Sequence, residues 1–240
     1  MLKSLCILSL LALPLAAAAQ QPIPRIRQLY IQDQRDRGIP YAANGHDLLS
    51  EADAKKLPVV SDNNMGTHDM ARRAEALKLL QIGALHTAED FSDAAMIFQH
   101  GSTPDDFLLA HVLAIEAIAR GDTSAHALGL AAVTLDRYLQ WSGKKQIFGT
   151  QYLPAQFAFS LQHPNDKNLD QELKKIPASN QTLQPYNQTL LPDAIRADFC
   201  VPPQQQQLNY ITAANSGKPV DLPQRKNCDL NQHSHQATPN

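Results

Sequence analysis

No motif in this chain names a chemistry. A glycine-rich phosphate loop, a GxSxG elbow, an HExxH pair and an EF-hand loop are all missing, so nucleotide cradles and the common hydrolase and metal sites have no sequence support. Cysteine is scarce: Cys6, Cys200 and Cys228 are the whole complement, and none belongs to a CxxC. That spacing offers no metal site. Neither charge sign dominates, with 21 Lys and Arg against 23 Asp and Glu. The balance excludes the basic footprint of a nucleic-acid binder and the polybasic stretch of a lipid-surface binder. Beyond the first nineteen residues no apolar run reaches membrane-spanning length, and no alternating run argues for a sheet.

The first nineteen residues carry the clearest message. Lys3 supplies a positive start, Leu5 to Leu15 an apolar stretch, and Ala16-Ala17-Ala18-Ala19 the small residues that a signal peptidase accepts. This is the pattern of a cleavable secretory signal, too short for a permanent span, with cleavage after Ala19. The expected address is periplasmic or secreted, with no membrane attachment after cleavage. Processing removes Cys6, and it takes the formal net charge from −2 to −3 because Lys3 leaves too. Cys200 and Cys228 remain as an even pair in an oxidising compartment, where a disulfide is the expected state. Closing that loop stabilises by about 3 kcal/mol in the chain-entropy picture.

Composition divides the mature chain into a polar segment with one helix over 20–66, a helical core over 67–163, and an irregular tail over 164–240. The first helix spans about Ile26 to Arg37, stopped by Gly38 and Pro40. The core is rich in Ala, Leu and Ile at helical spacing. Thr67 or Asp69 is placed to cap a helix ending at Gly83. Thr87 with Asp90 forms a capping-box pattern, and Thr103-Pro104-Asp105-Asp106 is a stronger helix start. Asp122 or Thr123 opens the next helix, which ends before Gly143. Short turns between four such helices make antiparallel neighbours, hence an all-α bundle or a short helical-pair array. In the tail, Pro177, Pro185, Pro192, Pro202 and Pro203 interrupt any long element. The Gln204–Gln207 tract and 231–240 read as low-complexity, mobile chain.

Helical projection at about 100° per residue assigns the buried faces. For 104–119 the apolar arc is Leu108, Val112, Ile115, Ile118 and Ala119, with His111 facing the core between them. For 67–82 the arc of Met70, Leu77 and Leu80 includes Arg73 and leaves Arg72 outside. For the last core helix Leu128, Ala131, Leu135 and Leu139 face inward, which puts Asp136 on the flank to meet Arg73 or His111. Arg137 points toward the following segment or solvent. A buried arginine needs a partner, and Asp69 is a second candidate for Arg73 along the same helix. His46, His68, His86, His126 and His163 have no zinc spacing, and His233 and His235 bind metal only adventitiously; no metal or cofactor is expected. Asn180 and Asn187 begin glycosylation-type triplets of a kind common by chance.

Three strings, Gln99-His100-Gly101, Asp136-Arg137 and Gln146-x-Phe148-Gly149-Thr150-Gln151, resemble the pattern of an uncharacterised bacterial family, a domain of unknown function. Leu191-Pro192-Asp193, Arg196 and Val201-Pro202 resemble its closing segment, with one arginine where the family pattern has a pair. The resemblance covers roughly Asp69 to Pro203. It implies a helical domain and no assigned activity.

Gly149 permits a tight turn or a close approach, so the 146–151 loop can fold over the polar group formed by His100, Asp136 and Arg137. Two readings follow. In the first, Gln99, Arg73, Gln146, Thr150 and Gln151 line the pocket of a binding or interaction module for an unknown ligand or protein partner. In the second, His100 or His111 is a general base oriented by Asp136, with Arg137 steadying an anionic substrate in a hydrolase-like enzyme. A purely bracing role for Gln146 and Gln151 stands beside both.

Overall fold

The computed structural model describes residues 23–42, 47–57 and 62–218. The expected signal segment, His46, His233, His235 and Cys228 lie outside the described residues, and so does the expected Cys200–Cys228 bridge. The fold is all-α. Helices run over Arg25–Asp36 (α1), Glu51–Ala54 (α2), Asp62–Gln81 (α3), Ala88–Gln99 (α4), Pro104–Ala119 (α5) and Ala125–Trp141 (α6). The two-residue strand Leu153–Pro154 (β1), Ala155–Gln162 (α7), Leu169–Lys174 (α8), strand Gln181–Thr182 (β2), Asp193–Asp198 (α9) and Gln204–Asn215 (α10) follow. β1 and β2 pair antiparallel, Leu153 opposite Thr182. Among the described residues no helix is long and apolar enough to cross a membrane.

Local chemistry sets the two best-defined helix starts. Thr87 Oγ1 accepts the Asp90 amide at 3.0 Å while Asp90 accepts the Thr87 amide at 2.9 Å, and Thr103 and Asp106 repeat the exchange. Each box satisfies two of the amides that a helix start leaves without partners. Three boundary expectations need correction. Residues Thr67 and Asp69 lie inside α3, which begins at Asp62. Ser124, rather than Asp122 or Thr123, caps α6; Asp122 accepts the Ser124 amide at 3.0 Å. The glutamines 204–207 open α10, and Gln207 is buried. Pro203 immediately ahead supplies the fixed φ with which a helix starts.

α5 packs against both α4 and α6, with α1 and α3 on the far side of α4. The buried face of α5 is Phe107, Ala110, Leu113, Ala114 and Ala117. The expected arc is displaced: Leu108, Val112 and Ile115 are exposed. Alanines on α5 meet Ala94 and Ala95 of α4 and Ala131 of α6 in one core cluster. Small side chains let helix backbones close up, so the contact follows alanine and leaves the bulkier residues at the rim. His111 sits at the edge of this face, its Nδ1 2.9 Å from the Ala131 carbonyl. Burial holds its pKa below the usual histidine range.

The inner face of α3 is polar, which reverses the expected roles of its arginines. Arg72 is buried, reaching Asp36 at 2.5 Å and Asp69 at 2.7 Å. Arg37 joins Asp33 and Asp69, each at 2.8 Å. Arg73 instead lies across the end of α4, donating to the His100 carbonyl at 2.8 Å, with Asp106 3.7 Å away. Met70 and Leu77 are exposed. An apolar-arc projection misses this face because Asp69, Arg72 and Ala76 occupy it, answered by the carboxylates of α1.

A second α1–α4 contact carries a pH prediction. Arg27 donates to Asp93 Oδ1 at 2.6 Å and lies over the Tyr30 ring at 4.6 Å, while Asp93 Oδ2 has no partner among the described residues. Burial pushes the Asp93 carboxyl up to about 7 despite the Arg27 charge, and Glu89 and Asp90 push the same way. Because the folded value exceeds the unfolded one, the stabilising contribution is complete below about pH 4 and is lost as pH rises through about 7. Relative to Asp93→Asn, the wild type is therefore expected to lose thermal stability between pH 5 and pH 8. Paired melting curves check this; a wild type that gains on the variant over that range sinks it.

Candidate functional site

The loop after α6 is built around one carboxylate. Asp136 is fully buried, and its Oδ1 accepts the amides of Ile147 at 2.8 Å and Phe148 at 2.9 Å. Its Oδ2 accepts the Thr150 amide and hydroxyl, both at 2.9 Å. Burial pushes this carboxyl up, against four donors that pull it down. The expected Asp136 contacts with Arg73 or His111 are thus replaced by a clasp on the loop that follows. The physical reason is proximity along the chain: eleven to fourteen residues form a short turn that returns its amides to the last turns of α6.

Gln146 closes the loop from inside. Its amide nitrogen donates to the Gln151 carbonyl at 3.1 Å and to the Leu183 carbonyl, and its oxygen accepts the Gln151 amide at 3.0 Å. Gly149, at φ +72°, brings backbone against Tyr186 and α10; an added Cβ would lie 2.5 Å from Gln207 Oε1. Only glycine fits both that φ and that approach. Gly101 is likewise required in the Gln99-His100-Gly101 string, since a Cβ there would overlap Asp106 Cβ at 2.2 Å and open the α5 capping box. Asp136, Gln146 and the two glycines are architecture.

Gln99, Arg137, Thr150 and Gln151 of the motif meet at a cavity of about 390 Å³ between α4, α6 and the loop, lined also by Met96, His126, Leu130, Val133 and Tyr152. Arg137 Nε donates to Gln151 Oε1 at 3.1 Å, and Nη1 to the Gln99 carbonyl at 2.7 Å. Gln151 in turn donates to the Val133 carbonyl and Thr150 Oγ1, each at 3.2 Å. The Gln99 side chain is held only by a 3.4 Å contact with Met96 Sδ, and its oxygen has no partner among the described residues. Four expected residues, Gln99, Arg137, Thr150 and Gln151, therefore share one cavity; Arg73 and Gln146 do not line it.

Neither histidine proposed as a base reaches Asp136. His100 turns to the other side of α4, where its Nδ1 lies 3.0 Å from Asp33 Oδ2, within the α1–α3 ion network. His111 is engaged by the Ala131 carbonyl. The His/Asp/Arg triad required by the hydrolase reading is not assembled, because His100 at the end of α4 turns to Asp33 while Arg137 of α6 turns to Gln99 and Gln151. Among the described residues no three His, Cys, Asp or Glu are grouped to hold a metal ion.

Projection on the motif alone overlooked Met96, His126, Leu130, Val133 and Tyr152. A signal was present: 126, 130, 133 and 137 follow the i, i+4, i+7, i+11 spacing of one helix stripe, and Met96 precedes Gln99 by one turn. Its mixed polarity kept it from standing out as a face. Comparison with protein-family models, with curated proteins and with solved structures returns no match for this chain.

Proposed function

We propose that the chain is an exported binding module, periplasmic or secreted, whose working site is the cavity between α4, α6 and the 146–152 loop. The observation that carries this reading is the convergence of Gln99, Arg137, Thr150 and Gln151 on one cavity beside the apolar Met96, Leu130 and Val133. Its volume lies within the range of small-molecule sites, and mixed lining with a few fixed polar groups is what such sites use. The signal-like first nineteen residues support export, and a Cys200–Cys228 bridge fits that compartment. Membership in the uncharacterised bacterial family belongs to the same proposal and rests on the three residue strings alone.

A small-molecule fragment screen followed by backbone amide shifts tests the reading. Hits are expected to move the amides of 96–99, 130–137 and 150–152 together. Val133→Phe fills the cavity while leaving the Val133 carbonyl that anchors Gln151 in place, so it is expected to abolish those shifts with little change in melting temperature. Shifts that survive in Val133→Phe, or a screen that moves none of these amides, would remove the proposal.

A further inference from the structure

Arg137 differs from Arg27, Arg37, Arg72 and Arg196 in what answers its charge. Arg27 has Asp93, Arg37 has Asp33 and Asp69, Arg72 has Asp36 and Asp69, and Arg196 has Asp193. The two hydrogen bonds of Arg137 end on neutral oxygens, those of Gln99 and Gln151, and the Phe107 ring lies 5.4 Å from its Cζ. Among the described residues Nη2 makes no hydrogen bond and no carboxylate lines the cavity. Asp136, next in the chain, has both oxygens occupied by the loop. The charge that acts on Arg137 is Arg37, of the same sign; it adds to burial in holding the guanidinium below the usual arginine range. A half-buried cation with like charge nearby and no carboxylate partner is unfavourable until an anion arrives.

We infer that the cavity binds a small organic carboxylate, gripped end-on by the terminal nitrogens of Arg137, with its apolar body against Met96, Leu130, Val133 and Tyr152. This rests on the cavity being the binding site, as proposed above. The guanidinium offers Nη2 and the second hydrogen of Nη1, a pair of parallel donors that matches the two oxygens of a carboxylate. Gln151 fixes Nε and the Gln99 carbonyl holds one hydrogen of Nη1, so the fork is oriented before the ligand enters. The Gln99 amide, only weakly held by Met96, is free to turn and take a further polar group of the ligand. One guanidinium balances a single negative charge, which favours a monocarboxylate over a phosphate dianion.

Matched probes separate charge from shape. Phenylacetate with phenylacetamide, and hexanoate with hexanamide, are titrated into the purified chain, with inorganic phosphate as a separate arm. The affinities come from amide shifts at 96–99, 130–137 and 150–152. Each acid is expected to bind at least tenfold more tightly than its amide. Arg137→Gln is expected to bring that ratio near one by weakening the acid far more than the amide, and Arg137→Lys to retain about threefold. Should Arg137→Gln fail to fold, the wild-type ratio and Arg137→Lys decide. Acid and amide binding equally would overturn the carboxylate inference and leave the cavity reading intact. Phosphate binding more tightly than both acids would overturn it in favour of a dianion. If neither member of any pair moves these amides, the cavity reading fails together with this one.

Discussion

Replacing Asp136 with alanine is expected to destabilise the fold by about 3–5 kcal/mol. The carboxylate accepts three backbone amides and one hydroxyl in a fully buried setting. Truncation strands those donors, and an unsatisfied buried donor costs about 1–3 kcal/mol. Local relaxation and water entry keep the sum below the arithmetic maximum. For a protein of this size the melting temperature falls by about 2–4 °C per kcal/mol, so a drop of about 10 °C is expected. Asn in place of Asp keeps one acceptor but turns an NH2 group toward donors, and it is expected to lose about half as much. Hydrogen exchange localises the effect: the amides of Ile147, Phe148 and Thr150 lose protection before those of α4 and α5. A loss under about 1 kcal/mol in urea melts, or uniform loss of protection across the helices, would show that the clasp is not what holds the loop.

The same clasp explains why the motif was legible as a group and misleading as chemistry. A polar string near a helix end has two physical uses, satisfying backbone and meeting a ligand, and residue types alone do not separate them. Asp136 and Gln146 turned out to serve backbone groups, Arg137 lines a cavity, and Gln151 does both. What separates the roles is direction: Asp136 and Arg137 are adjacent and therefore about 100° apart on the helix, so one faces the loop interior and the other the cavity. His100 was misplaced for a related reason. Its partner, Asp33, is 67 residues away, in a segment that read only as polar chain with one helix.

Local rules read well and tertiary faces less so. The helix starts at Thr87 and Thr103 each depend on four neighbouring residues, and both formed as expected, the second closing a capping box as well. The α5 interface depends on how closely two backbones approach, a quantity to which alanine contributes by having almost no side chain. Weighting by hydrophobicity therefore chose Leu108, Val112 and Ile115, which are exposed, over Ala110, Ala114 and Ala117, which are fully buried. The α3 face was hidden differently. Its buried residues are charged, and only the position of α1 makes Asp69 and Arg72 interior.

Arg196 is the second position where a single change is expected to have a large effect, because the C-terminal helices converge on it. Its side chain is fully buried, donates to Tyr186 Oη and Gln207 Oε1 (the latter at 2.8 Å), and lies 3.2 Å from Asp193. Gly149 packs against those same two partners, Tyr186 and Gln207, so the guanidinium supports the 146–151 loop from the side opposite Asp136. Arg196→Met keeps most of the apolar stem but strands the tyrosine and glutamine and leaves a cavity. Stranding the two buried neutral partners costs about 1–3 kcal/mol each, whereas Asp193, half exposed, is rehydrated. The Tyr186→Phe variant removes one hydrogen bond without removing the ring and is expected to lose about 1 kcal/mol. A double-mutant cycle between the two should show coupling of about 1 kcal/mol, since Tyr186→Phe removes only the hydrogen bond they share. Location is the sharper readout. In Arg196→Met, protease is expected to cut within 180–218 while α4, α5 and α6 stay intact, whereas Asp136→Ala exposes 144–152 first. If both variants open the same segment at the same rate, the loop and the C-terminal helices unfold as one unit, and the two supports of the cavity are not independent.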